Sequence, residues 1–475
     1  MKKPKLDSMG NERLSLPMRL LYSFGIGGTG TATFMLVQTF LLFVYTDVVK
    51  VNPGYIAGLF LVTRVVDAFL APIFGTIVDS INTRWGKYRP YFLFVGIPVI
   101  VLSVFTFTDP TIFFKNISEQ GKLIYVTVTY VLFSSTISIQ SAPFQAILPT
   151  MTKSISDRIN IGQLNSFFGM VSAMIIQAGT IPLVIAFGGN TRSSIGWAAI
   201  ITILAVINIC HHIAGFAFFK EKYVVPGEKQ KLTLKQVGQA IFKNRMAIIA
   251  LVVNFAILCS TGIRSAVTMY YLQYYFNKPS FMGIIGIGGM AATLAGVFLS
   301  GFISKKIGLK KTMVFSSVFV VLFIVAAFFA PATRGGLIFY LVTYMCGSVF
   351  YGLFTPIQAT FIPAAIDYAE WKHNVKANAL LGSMNGFMQS FATAVSGALV
   401  AGALALFGYQ PDIQQTGTAI MGFRLLVSFI PAIFQIFMLV VLWFDLGEEK
   451  QQQISHDLKE RRDKAEAANR VEIAS

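Results

Sequence analysis

Residues 67–91, DAFLAPIFGTIVDSINTRWGKYRPY, begin inside an apolar run that carries one acid, Asp67. They end in a basic and aromatic turn that holds Arg84, Trp85, Lys87, Tyr88 and Arg89. An apolar run of about 20 residues is long enough to cross a bilayer as a helix. Pro90 suits the first position of the next helix, because its missing N–H would be unpaired there anyway. The stretch therefore reads as one membrane span, a short polar turn, and the start of a further span.

Working outward, runs of this kind recur at about 20–46, 54–79, 91–108, 122–148, 161–187, 194–219, 246–276, 281–303, 312–330, 335–365, 379–407 and 418–444. The chain has 475 residues, of which 55% are hydrophobic and 12% charged. Soluble domains carry about 25% charged residues, so the composition excludes a soluble enzyme of two or three domains. A membrane β-barrel would show ten-residue alternation instead. The fold class expected is an all-α polytopic membrane protein with twelve spans. Its divisions are a first half at 1–219, a central loop at 220–245, a second half at 246–444 and a tail at 445–475.

Charge orients the chain. With both termini in the cytoplasm, cytoplasmic segments hold 29 of the 38 Lys and Arg residues, opposite loops hold six, and three lie inside spans. This asymmetry satisfies the positive-inside rule. It also accounts for the net charge of +17 without a nucleic-acid partner. No cleavable signal peptide is read before the first span. The cysteines at 210, 259 and 346 lie apart in apolar runs, as small core residues do. The tail from Lys450 reads as a solvated helix or a flexible segment, and a short surface helix is expected around Leu232–Phe242.

The halves echo one another. Gly75-Thr-Ile-Val-Asp79 leads into Arg84–Arg89 after span two, and Gly301-Phe-Ile-Ser-Lys305 leads into Lys306–Lys311 after span eight. Two six-span halves with matched basic turns point to the major-facilitator architecture, in which repeats rock about a midplane site.

Charged residues inside a membrane cost about 2.5–3.5 kcal/mol at mid-span on insertion scales, so they default to function. Asp67 is the one acid near the middle of a span, and Arg64 lies one turn before it on the same helical face. A structural ion pair and a cation site are both open readings of that pair. Arg264 is mid-span in STGIRSAVTMYYLQYYF. It can hold a carboxylate bidentately, or it can pair within the bundle. Gln38, Gln145, Asn165, Gln177, Asn254, Gln273, Asn385 and Gln389 are mid-span amides, which serve as interhelical glue or as solute contacts. Tyr270 and Tyr271 can stack on a sugar face. His211 and His212 point to different faces and make a poor metal site, which leaves packing or a proton relay. Near the cytoplasmic ends, Asp79, Arg84, Lys87 and Arg89 can form a gate with Asp157 and Glu370, or they can serve topology alone.

Several motifs carry a family resemblance: YTDVV at 45–49, TRVVDAF at 63–69, the 79–91 turn, APFQAILP at 142–149 and IDYAEWKHNVKAN at 366–378. With them the chain resembles the glycoside–pentoside–hexuronide:cation symporters, the melibiose permease family. The resemblance covers all twelve spans, and the turn after span two is most similar to that of glucuronide carriers. It implies import of a sugar, glycoside or hexuronide with a cation and no resident cofactor. Where melibiose-type members place two span-two carboxylates, this chain has Asp67 and Ala71, with Leu70 at a family asparagine. Ser138 matches a span-four hydroxyl that helps hold the ion. One carboxylate of two favours a proton over sodium, with uniport or exchange as the alternative. The family's sugar-binding acids fall at Gly30 and Ser141, its tryptophan at Gln145, its span-five arginine at Ser166 beside Asn165, and its span-eleven lysine near Ser390 beside Gln389. Arg264, Gln145, Ser141, Ser166, Asn165, Asn385, Gln389 and Tyr270 are thus the candidate substrate contacts. A lysolipid transporter of the same fold is the competing function, and no cluster suited to a membrane enzyme is present. The expected setting is the bacterial inner membrane. The resemblance leaves the sugar and the oligomeric state open.

Overall fold

The computed structural model describes residues 12–80, 83–223, 244–373, 378–411, 413–443 and, in the tail, 450–451, 453–454, 456–458 and 460–461. Its elements are helices: α1 Leu16–Val48, α2 Pro53–Ser80, α3 Tyr91–Phe107, α4 Glu119–Met151, α5 Ile155–Gly188 and α6 Ser194–Phe218. They continue with α7 Arg245–Tyr275, α8 Pro279–Ile307, α9 Leu309–Phe329, α10 Arg334–Lys372, α11 Asn378–Leu406 and α12 Gly417–Trp443. Ten of the described helices are long and apolar enough to cross a membrane. With α2 and the shorter apolar α3 the count of twelve agrees with the hydropathy reading. No strand occurs among the described residues, apart from a lone bridge between Thr83 and Gly86.

The backbone repeats the echo seen in the sequence. The turns after α2 and after α8 each contain a glycine in the left-handed region, Gly86 at φ +116° and Gly308 at φ +84°. At the other end, α1 and α7 each finish in a π-helical turn, Val44–Val48 and Tyr271–Tyr275. Each is followed by a non-glycine residue at positive φ, Lys50 at +66° and Asn277 at +54°. Asparagine tolerates this region, whereas lysine is held there at a cost of about 1–2 kcal/mol.

The chain divides into two compact units. The first comprises Met1–Glu228, Ser265–Ile287 and Gly397–Phe423. The helix ends of α7, α8, α11 and α12 farthest from the termini thus belong with the first six helices. Its interior is aromatic: Phe92 stacks on Phe144 at 4.2 Å, and Tyr22, Ile147 and Phe219 bury against them. Gly27 lets α1 approach α5, because a Cβ there would strike the Asn165 carbonyl oxygen. His211 fills the space beside Gly25, and His212 that beside Gly96.

The second unit comprises Lys229–Arg264, Gly288–Ser396 and Arg424–Ser475. Here α8 crosses α10 at facing glycines: a Cβ on Gly296 would strike the Val349 carbonyl, and one on Gly352 the Thr293 carbonyl. Such close approach is how membrane helices gain contact energy, since lipid offers little hydrophobic drive.

The structure corrects two expectations. The tail is neither freely solvated nor detached over its described part. Ile454 and Leu458 are 2% and 4% exposed in the core of the second unit, and the Trp371 indole donates to Asp457 at 2.9 Å. The apolar residues on one face of that helix explain the docking. Of the three cysteines, Cys259 alone is buried; Cys346 is half-buried, and Cys210 lies on an exposed face of α6. The helix expected around Leu232–Phe242 lies outside the described residues.

Candidate functional site

Asp67 lies halfway along α2 and is 6% exposed. Three groups meet its carboxylate. The hydroxyl of Ser134 donates to Oδ2 at 2.5 Å, that of Ser135 to Oδ1 at 3.2 Å, and Arg64 reaches Oδ2 at 3.4 Å. The two serines come from α4, at the level where α2 packs against it. Ser138, the expected hydroxyl, sits one turn further along α4 and donates to the Ser134 carbonyl at 3.2 Å. The hydroxyls seen on the carboxylate are those of its neighbours one turn earlier. The serine run Ser134-Ser135 was readable in the sequence, but only helix phase decides which hydroxyl faces Asp67. Among the described residues no group of three acids, histidines or cysteines surrounds a metal position.

The second unit carries a polar face built from three helices. Asn254 of α7 donates to Asn385 of α11 at 2.5 Å and accepts from Gln358 of α10 at 2.8 Å. The Asn385 amide hydrogens and the Gln358 carbonyl oxygen have no partner among the described residues. Gln358 was missed in the sequence. It sits just before the break in α10, two residues after Pro356, and that break was its signal. Gln389 is exposed one turn beyond Asn385, and Phe255, Phe387 and Phe391 stack nearby at 5.6–5.9 Å. Further along α7, the Arg264 guanidinium lies over the Tyr344 ring at 4.6 Å.

The other expected solute residues are dispersed. Asn165 is half-buried, with its Oδ1 unbonded among the described residues. Ser166 is exposed and donates to the Gly162 carbonyl of its own helix. The side chains of Ser141 and Gln145 lie outside the described set. Tyr270 is wholly buried, and its hydroxyl meets Thr46 at 2.7 Å.

Tyr270 belongs to a cluster that sequence reading did not assemble. Asp47, 1% exposed in the π-helical end of α1, is its centre. Thr46 and Tyr409 donate to Oδ2 at 2.6 and 2.7 Å, the Tyr274 hydroxyl donates to Oδ1, and Arg192 stands 3.8 Å from Oδ1. Arg192 also donates to the Tyr274 oxygen at 3.0 Å. Burial, with the Asp47 charge beside it, pushes the Tyr409 phenol up, so it remains a donor. Asp47 looked peripheral because its span ends there. The tyrosines that meet it come from α7 and from the turn after α11.

At the ends near the termini, the basic turn after α2 meets an acid that sequence reading did not name. Glu221, just past α6, accepts three backbone N–H groups, from Lys87 at 3.0 Å, Tyr88 at 2.7 Å and Arg89 at 2.9 Å. Glycine suits this position because its φ is +116°, and a Cβ would also lie 2.6 Å from the Glu221 carboxylate. The Arg89 guanidinium donates to the Phe216 and Ala217 carbonyls at the end of α6, and Arg84 lies on Trp85. Asp157 is buried and pairs with Arg13 and Arg19 at 3.6 and 3.7 Å. It also accepts the Leu14 N–H at 2.5 Å. Its partners are thus N-terminal residues. Glu370 is half-buried and partnered, and the Asp79 side chain lies outside the described set.

Residues 23–446 match the family described as MFS/sugar transport protein. The isoprimeverose transporter of Lactiplantibacillus pentosus is 30% identical over 409 residues, covering 84% of this chain and 82% of that protein. The glucuronide carrier protein homolog of Escherichia coli is 25% identical over 95% of this chain and 97% of its own. A bacterial homologue of the lysosomal transporter Spinster, solved inward-facing, superposes with a TM-score of 0.63 at 13% identity over 90% of this chain and 96% of that one. The nucleoside transporter NupG gives 0.58 at 12% identity, over 90% and 99%. These two structures share the fold.

Proposed function

Because the chain belongs to the MFS/sugar transport protein family, we propose that it imports a neutral or acidic glycoside together with a proton. It is a multi-span transporter and not an enzyme. The observation that carries the proton is the single carboxylate. Asp67 has two hydroxyl donors and one cation, Arg64, at 3.4 Å. A pair this close attracts by roughly 4–5 kcal/mol at an effective dielectric of about 20. A sodium ion brought to the same carboxylate would be repelled by Arg64 on a similar scale. A proton gives up the same attraction, but it is held by a covalent O–H bond to one oxygen and needs no further ligands, whereas sodium needs several oxygen ligands at once. Protonation neutralises Asp67 and frees Arg64, which then carries the positive charge that the proton brings.

The substrate reading draws on the relatives and on the polar face of the second unit. Two open amide groups beside stacked phenylalanines match the hydroxyls and apolar face of a sugar ring. Arg264 supplies the group that a uronide carboxylate would need, with bidentate geometry. The helix ends near the termini are the cytoplasmic ones in this account, following the charge asymmetry.

The test is uptake into proteoliposomes holding the purified full chain, with isoprimeverose and methyl glucuronide as probes. Accumulation of either probe above the external concentration under an inward proton gradient is the expected result. Facilitated equilibration without accumulation would replace symport by uniport. No uptake of either would overturn the substrate reading. Arg264→Ala is expected to lower glucuronide uptake at least ten-fold while isoprimeverose uptake stays within three-fold; equal losses would make Arg264 structural.

A further inference from the structure

Beside the Asp47 cluster, at the ends of the helices away from the termini, lies an open cavity of about 540 Å³. Asp47, Lys50, Asp109, Arg192, Ser194 and Gln273 are among its walls, all from the first unit. The volume falls within the roughly 300–1,000 Å³ of small-molecule sites. Two acids and two bases line it, so no net charge is selected, and apart from Val48 the remaining wall residues carry hydrogen-bonding amides and hydroxyls. Asp109 is already engaged, accepting from the Thr111 N–H at 2.9 Å and from Ser194 at 2.7 Å. The Gln273 amide is half used. Its Oε1 accepts from Thr191 at 3.1 Å, and its Nε2 has no partner among the described residues.

The cavity wall and the closed cluster share residues. Arg192 and Asp47 belong to both, and Gln273 precedes Tyr274 in the same π-helical turn. The ends of α1 and α7 that meet here are both π-helical, a backbone form that occurs in single turns, often at functional sites. A solute hydroxyl that displaced Tyr274 or Tyr409 would meet Asp47 as the same kind of donor that these two now provide. Exchanging one hydroxyl for another keeps a buried carboxylate satisfied, whereas simple separation would leave it with the full desolvation penalty of an unsatisfied charged group.

We propose that this cavity is an outer site for a polyhydroxylated solute of sugar size, and that its occupant releases the Asp47 latch by replacing the Tyr274 and Tyr409 hydroxyls. The inference rests on the transport reading and adds a further solute site to it. Capture thus precedes opening, and apolar solutes do not trigger it.

Trp197 is a built-in reporter. It is fully buried against Phe40 and Phe43, and its ring N–H donates to the carbonyl of Thr191, a wall residue, at 2.9 Å. In proteoliposomes of the full chain, isoprimeverose is expected to change tryptophan emission saturably, and Trp197→Phe is expected to remove the change. Gln273→Ala and Ser194→Ala should each raise the half-saturating concentration at least ten-fold. Asn385→Ala, on the other unit, should lower uptake but leave the emission response in place. A response lost with Asn385→Ala and unmoved by both cavity variants overturns the outer site. Uptake without any Trp197 response also overturns it while the transport reading stands. A response without uptake upholds the site and overturns transport.

Discussion

Two aspartates, Asp67 and Asp47, are both buried in the same compact unit, and their surroundings differ in kind. Asp67 is held by two serine hydroxyls and a nearby arginine, contributed by two neighbouring helices of the first half. Asp47 is held by threonine and two tyrosines, with its arginine at 3.8 Å. Its threonine is the adjacent residue, whereas its tyrosines lie 227 and 362 residues along the chain. A carboxylate with few local partners can change its protonation and leave the surrounding helices in place. A carboxylate that ties distant segments together cannot lose its partners without those segments moving. The first arrangement suits coupling, and the second suits closure.

The contrast predicts a graded series. Asp67→Asn is expected to abolish accumulation under a proton gradient while retaining exchange of labelled for unlabelled sugar. Full accumulation by this variant would remove Asp67 from coupling. Asp47→Asn keeps an acceptor oxygen, so it is expected to lower the maximal uptake rate several-fold with the proton dependence intact. Equal loss of coupling in both variants would erase the distinction. Tyr409→Phe removes one phenol donor to a charged group, worth roughly 1.5–3 kcal/mol, and is expected to shift the closed state toward opening by about ten-fold. Increased reactivity of a cysteine placed at Gln273 toward an impermeant thiol reagent reads this out. Unchanged reactivity would assign closure to packing. At the small end, Ser134→Ala should move the proton dependence of uptake by a few-fold and Ser138→Ala by less than two-fold. The reverse order would restore the role that the resemblance implies for Ser138.

The twelve helices were legible because hydropathy is local, and the turn after α2 was legible because its charges and glycine repeat after α8. Asp67 and Arg64 were legible for the same reason, being three residues apart on one helix. The serines that meet Asp67 needed helix phase, which spacing alone leaves open by one turn. Glu221 was missed because its donors are backbone N–H groups, which carry no side-chain signature. The Asp47 cluster was missed because its members are distributed over residues 46–409. The tail illustrates the opposite error. Its charged residues suggested full solvation, while two apolar residues four apart, Ile454 and Leu458, decide that it docks.

The most direct test of the single-carboxylate account is initial sugar uptake by wild-type proteoliposomes under proton and sodium gradients imposed separately. The account predicts accumulation driven by the proton gradient, with a sodium gradient at neutral internal and external pH giving no more than equilibration. Accumulation driven by sodium alone would contradict it.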